Sequence, residues 1–225
     1  MEKLAPKEGE LPRISERKLA EIIVKAAREA SIDCDQHNLS AKQVGQLNEQ
    51  WIQSYVGDAI SRHLRDFYKS DGQRPYVTYE TTAGWIRYFF DQKNAPVRRH
   101  VKLTEKSRFD LTVWSKSGKI VGLIEIKNEP LMSGYSKSRD PDKIISALHE
   151  WDYLNWGIFL FCSRNNTQKT GEKLNDHLYA MVDKTFSHVE RHFGRHADLN
   201  LVTSELFEGD DAQCLWAAVI MKWKS

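Results

Sequence analysis

The chain has 225 residues, of which 40% are hydrophobic, 28% charged and 11% aromatic, an ordinary balance for a soluble globular protein with room for one cored domain. No apolar run approaches the roughly 18–20 residues of a membrane span, so no membrane partner is expected. Three scattered cysteines (Cys34, Cys162 and Cys214) fit neither a disulfide framework nor a zinc site, and a net charge of +2 by itself says nothing about nucleic acid.

The first thirteen residues, Met1–Arg13, are charged and lack an apolar centre, so they read as a mobile tail rather than a signal peptide, and a cytoplasmic location is expected. Residues 14–225 then form a single domain. Ser15 is placed to cap a helix over about 16–31, whose apolar positions Leu19, Ile22, Ile23, Ala26, Ala27 and Ala30 follow helical spacing. Ser40 and Gln43 make a capping box for a longer helix, about 41–69, apolar over a wide arc that includes Trp51, Ile52, Val56, Ile60 and Phe67. Asp71-Gly72 and Pro75 stop it.

Tyr76–Glu80 and Trp85–Phe90 are short, aromatic and β-branched, and read as strands or a hairpin. Between Lys93 and Arg108 stand six Lys/Arg against the single acid Glu105. That local excess suits phosphates, and Arg98, Arg99, Lys102 and Arg108 are its candidate nucleic-acid contacts. Phe109–Trp114 and Lys119–Lys127 are better strands, separated by Ser115–Gly118. A Ser- and Gly-rich loop leads to Asp140-Pro141, an N-cap with proline at the first helical position. The helix that follows, about 141–155, turns Ile144, Ile145, Leu148 and Trp151 inward and carries Lys143 in its first turn, within reach of a phosphate. Gly157–Cys162 is the apolar strand of a sheet covered on both faces. A helix over about 171–193 precedes a hairpin of Leu199–Thr203 and Cys214–Trp223. The class is α/β with a mixed sheet.

Chemistry concentrates on two strands. Asp110 alternates with Phe109 and Leu111, and burying a strand aspartate is costly without a partner or a cation. Glu125 and Lys127, two apart, share a face opposite Ile124 and Ile126. A tight turn at Ser117-Gly118 pairs the strands so that Asp110 lies across from Glu125. Two carboxylates that close repel unless one gains a proton or both share a divalent cation. Hard oxygen donors supplied by few protein groups suit Mg²⁺, with Mn²⁺ able to substitute. Lys127 beside that cation is placed to orient water and to offset charge building on a phosphate. The decoys Glu16-Arg17-Lys18 and Asp91-Gln92-Lys93 lack this strand context.

Arg108-Phe109-Asp110, the hairpin and Glu125-Ile126-Lys127 together resemble the PD-(D/E)xK phosphodiesterase superfamily. Phe109 stands where the motif's proline would be. The resemblance implies a restriction-endonuclease-like fold, a mixed β-sheet flanked by helices in the core order α-β-β-β-α-β, onto which about 41–163 can be laid. An extra N-terminal helix and a C-terminal helix plus hairpin would be additions. It further implies Asp110 and Glu125 as metal ligands and Lys127 as the catalytic lysine. Many members carry another acid from the first core helix or strand, a role open to Glu49 or Glu80.

The expected function is a metal-dependent nuclease hydrolysing phosphodiester bonds of nucleic acid, with DNA the expected substrate and a homodimer favoured if both strands are cut. The alternative is a nucleic-acid-binding or regulatory module that kept the fold and lost catalysis. His188, His192 and His196 form no HExxH-type motif and read as surface histidines. Neither a Gly-rich phosphate loop nor a Gly-x-Ser-x-Gly elbow occurs.

Overall fold

The computed structural model describes residues 15–36, 44–67, 75–91, 103–115, 117–127, 140–151, 154–165, 172–209 and 212–224. The tail at 1–13, the box Ser40–Gln43, the cations Arg98, Arg99 and Lys102 and the loop before Asp140 lie outside them.

Helix α1 (Glu16–Gln36) starts where expected: Ser15 Oγ accepts from Lys18 N at 3.3 Å and Ser15 O from Leu19 N at 3.0 Å. It runs past the expected end at 31 because tertiary partners hold its last turns. Trp216 Nε1 donates to Ser31 Oγ at 3.0 Å, Tyr55 donates its hydroxyl proton to Asp33, and Cys34 is buried. Packing here outweighs the weak helix propensity of Ser, Asp and Cys. Helix α2 (Val44–Phe67) buries Ile52, Val56, Ile60 and Leu64 at four-residue spacing.

Strand β1 (Tyr76–Thr82) is followed not by a second strand but by helix α3 (Ala83–Asp91), which overturns the strand reading of Trp85–Phe90. Thr82 Oγ1 accepts from Trp85 N at 3.2 Å and caps it, and Ala83 and Ile86, three apart, are fully buried. Aromatic enrichment suggested a strand, but burial on this segment repeats every three residues rather than every two.

Strands β2 (Arg108–Trp114) and β3 (Ile120–Lys127) form the expected antiparallel pair, in the expected register from Leu111↔Ile124 to Val113↔Gly122. A bulge between Val113 and Trp114 and Gly118 at φ 73° close the turn; only glycine takes that dihedral without strain. Helix α4 (Asp140–Glu150) crosses over to β4 (Trp156–Asn165), which lies parallel to β3. It stops five residues short of the expected 155. After α5 (Glu172–Phe193), β5 (Ala197–Thr203) and β7 (Ala212–Trp223) pair as the expected hairpin, with short β6 (Phe207–Gly209) also on β7.

The sheet order is β1-β2-β3-β4-β7-β5, mixed because only β3 and β4 run parallel. One core joins α1 and α2 to Leu111, Val113, Ile124, Ile126, Ile158 and Leu160. The other joins α3, α4 and α5 to Phe109, Trp114, Leu123, Phe159 and Phe161. Helices therefore cover both faces, and no described helix is long and apolar enough to cross a membrane.

Candidate active site

β2 and β3 stop pairing at Leu111↔Ile124, and the charged residues lie just beyond that point. Ile126 N–H donates to Asp110 Oδ2 at 2.6 Å, which orients the carboxylate toward β3. Glu125 is 1% exposed. Its Oε2 accepts from Lys143 Nζ at 2.7 Å, while its Oε1 is buried without a hydrogen-bond partner among the described residues.

Lys143 therefore does not reach outward as a free phosphate contact. Its ammonium also donates to Arg108 O at 3.0 Å and lies 3.0 Å from Asp140 Oδ1. Lys127 Nζ lies 3.4 Å from Asp140 Oδ2 and 3.7 Å from Glu49 Oε1. Four carboxylates, from Glu49, Asp110, Glu125 and Asp140, thus surround two ammonium groups.

Asp110 acts electrostatically on both Glu125 and Lys127, and of the two candidate third acids Glu49 acts on Asp110 as well. Glu49 reaches Lys127, and Glu80, at a left-handed φ of 51°, accepts from Gln53 Nε2 at 3.3 Å and pairs with exposed Arg108 at 3.6 Å. Among the described residues no three His, Cys, Asp or Glu side chains group closely enough to hold an ion, the histidines of α5 included. Asp140 is the residue that sequence reading missed, having been assigned only as a cap. A signal was present: a helix linking two parallel strands starts at the carboxyl end of the first, so Asp140 and Lys143, one turn apart, had to meet the end of β3.

The charges are under strain. Burial, then the nearby Glu49 charge, lifts Asp110 to about 6 against the bond from Ile126 N–H and the two lysines. Burial and the charge of Asp110 push Glu125 well above the usual carboxylate range, with Lys143 opposing. Burial also raises Glu49. Burial disfavours the Lys127 and Lys143 ammonium groups, yet the surrounding acids outweigh it and both titrate higher than a free lysine.

A pH dependence follows. An acid whose pKa rises on folding makes the folded state less stable as pH climbs from the unfolded value, about 4, through the folded one. Raised lysines lose their stabilising contribution only near and above pH 10, so they are silent across this window. In EDTA, Asp110→Asn should therefore melt above the unsubstituted protein at pH 7.5, by about 1–2 kcal/mol after allowance for partial exposure. The gap should shrink as pH falls through about 6 and close only below about pH 4. A gap independent of pH would remove the charge strain argued for Asp110.

No protein family, curated protein or solved structure matches the chain.

Proposed function

We propose that this chain is a divalent-metal-dependent nuclease, with a restriction-endonuclease-like arrangement of its mixed sheet and DNA as its substrate. The observation that carries the reading is the convergence of Asp110, Glu125 and Lys127 where β2 and β3 part. Donor chemistry supports it: two hard carboxylates held above their ordinary range, Asp110 partly buried and Glu125 fully so with an unpartnered buried oxygen, suit a small divalent cation.

Asp110 and Glu125 would hold that ion, Mg²⁺ or Mn²⁺, which when bound polarises a phosphate oxygen and acidifies water. Ile126 N–H keeps Asp110 oriented, and the Lys143 ammonium does the same for Glu125. Lys127, a third exposed, is placed to offset charge developing on a phosphate that enters from solvent. Exposed Arg108 belongs to the basic stretch 93–108 that would meet the backbone.

Incubation with linear, circular, single- and double-stranded substrates, in Mg²⁺, Mn²⁺ or EDTA, tests the proposal. Divalent-dependent cleavage is the expected result; its absence on every substrate sinks the reading. The alternative, a nucleic-acid-binding module without catalysis, draws on Lys143 Nζ lying 2.7 Å from Glu125 Oε2, an ammonium already serving a carboxylate. It predicts binding without cleavage.

Lys127→Ala should slow cleavage by roughly a hundredfold or more while substrate affinity stays within about threefold. The substitution opens no buried cavity, because the side chain is 34% exposed. Single-turnover rates with saturating enzyme separate the two parameters, and a loss confined to affinity would make Lys127 a binding residue only.

A further inference from the structure

Three large rings stand exposed together along β1 and α3. Tyr76 is 43% exposed, Trp85 47% and Tyr88 62%. Fully buried Trp114 fixes two of them: Tyr76 stacks on it at 5.9 Å and 8°, and Trp85 meets it edge-on at 5.4 Å. Trp114 is itself held by a 2.7 Å bond from its Nε1 to Thr78 Oγ1. On α3, Ala83 and Ile86 take the inner side, while Trp85 and Tyr88, three apart, share the outer one. Helical spacing thus separates core from ledge on the same nine residues.

The ledge is continuous with the candidate site. Thr82 pairs with Arg108 across β1 and β2, and Ala83 N–H donates to Ser107 O at 2.8 Å. Arg108 O in turn accepts from the lysine that holds Glu125. Lys106 and Arg108 are exposed on the segment that leads from this junction into β2. A strand whose phosphates pass these two cations toward Asp110 would carry its bases toward Tyr76, Trp85 and Tyr88.

We propose that this aromatic ledge binds unstacked bases, so that the preferred substrate is single-stranded nucleic acid or a duplex with an unpaired end. The inference rests on the nuclease reading for the direction of the strand. Ring faces gain by stacking only where a base offers its own free face, and a closed duplex offers groove edges instead. A second copy adding to the β1 edge is opposed by Glu80, whose left-handed φ of 51° breaks the extended run that a strand ladder needs.

The test is anisotropy titration in EDTA with a labelled oligothymidylate of about 16 nucleotides, the same chain carrying abasic sites, and its duplex. The unsubstituted protein should bind the single strand best and the abasic chain about tenfold more weakly. Trp85→Ala should weaken oligothymidylate binding about tenfold, Trp85→Phe should restore most of it, and duplex affinity should hardly move. Tyr88→Ala, at the most exposed ring, gives the same readout at a second position. Unchanged affinity in Trp85→Ala and Tyr88→Ala, or an equal loss on single strand and duplex, overturns the ledge. So does a dimer in sedimentation that Trp85→Ala dissolves. Metal-dependent cleavage with unaltered binding in these variants would leave the nuclease standing and the ledge refuted. Ring-dependent binding without cleavage on any substrate would do the reverse.

Discussion

Asp110→Asn is expected to leave a folded protein that binds nucleic acid and does not cut it. The amide keeps the shape of the carboxylate, and its oxygen can still accept from Ile126 N–H, so the end of the β2–β3 ladder keeps its bond. What disappears is the anion that faces Glu125. Charge stabilisation by a bound divalent ion is worth several kcal/mol, so loss of one of two carboxylate ligands should lower the cleavage rate at least about a thousandfold. Affinity for nucleic acid in EDTA should hold or tighten, because a carboxylate that repels phosphate has gone. Gel-based cleavage and anisotropy on one preparation measure both. Retained Mg²⁺-dependent cutting by Asp110→Asn would remove Asp110 from the site and leave Glu125 without its partner in the argument.

The parts of this arrangement that were legible in the sequence are those set by short-range rules. Strand pairing about a turn at Ser117-Gly118 fixed which positions oppose one another, and the observed register from Leu111↔Ile124 follows it, although Phe109 and Leu111, expected on one face, pack into opposite cores. The Ser15 cap and the apolar spacing of α1 and α2 were readable for the same reason. Helix α3 was not read, because aromatic and β-branched residues favour strands only as an average, and the Thr82 cap was overlooked. Asp140 and Lys143 were missed or sent outward because their roles depend on a parallel crossover, a contact across sequence that local pattern does not carry. Glu49 was named only as an open third acid, and its 3.7 Å approach to Lys127 depends on how α2 packs against the sheet, which local pattern does not carry.

A second strong effect is expected far from the carboxylates. Glu150, at the end of α4, is fully buried, and Arg87 of α3 grips it with both arms of its guanidinium: Nε to Oε1 at 2.6 Å and Nη2 to Oε2 at 2.7 Å. The same Nη2 donates to Leu103 O at 2.7 Å. One side chain thereby ties α3, the return of the chain at Leu103 and the helix whose first turn holds Asp140 and Lys143. Arg87→Leu removes both guanidinium bonds from a buried carboxylate and a third from the Leu103 carbonyl, so it should cost about 3–5 kcal/mol. That is a large share of the roughly 5–15 kcal/mol that holds such a domain, and at about 2–4 °C per kcal/mol the melting temperature should fall by about 6–20 °C. The double variant Arg87→Leu with Glu150→Leu should recover much of the loss, because no charge is then left unpaired in the interior. Thermal melts of the two single variants and the double close the cycle. Additive losses would mean that the two residues act separately and that α3 is held by its apolar face alone.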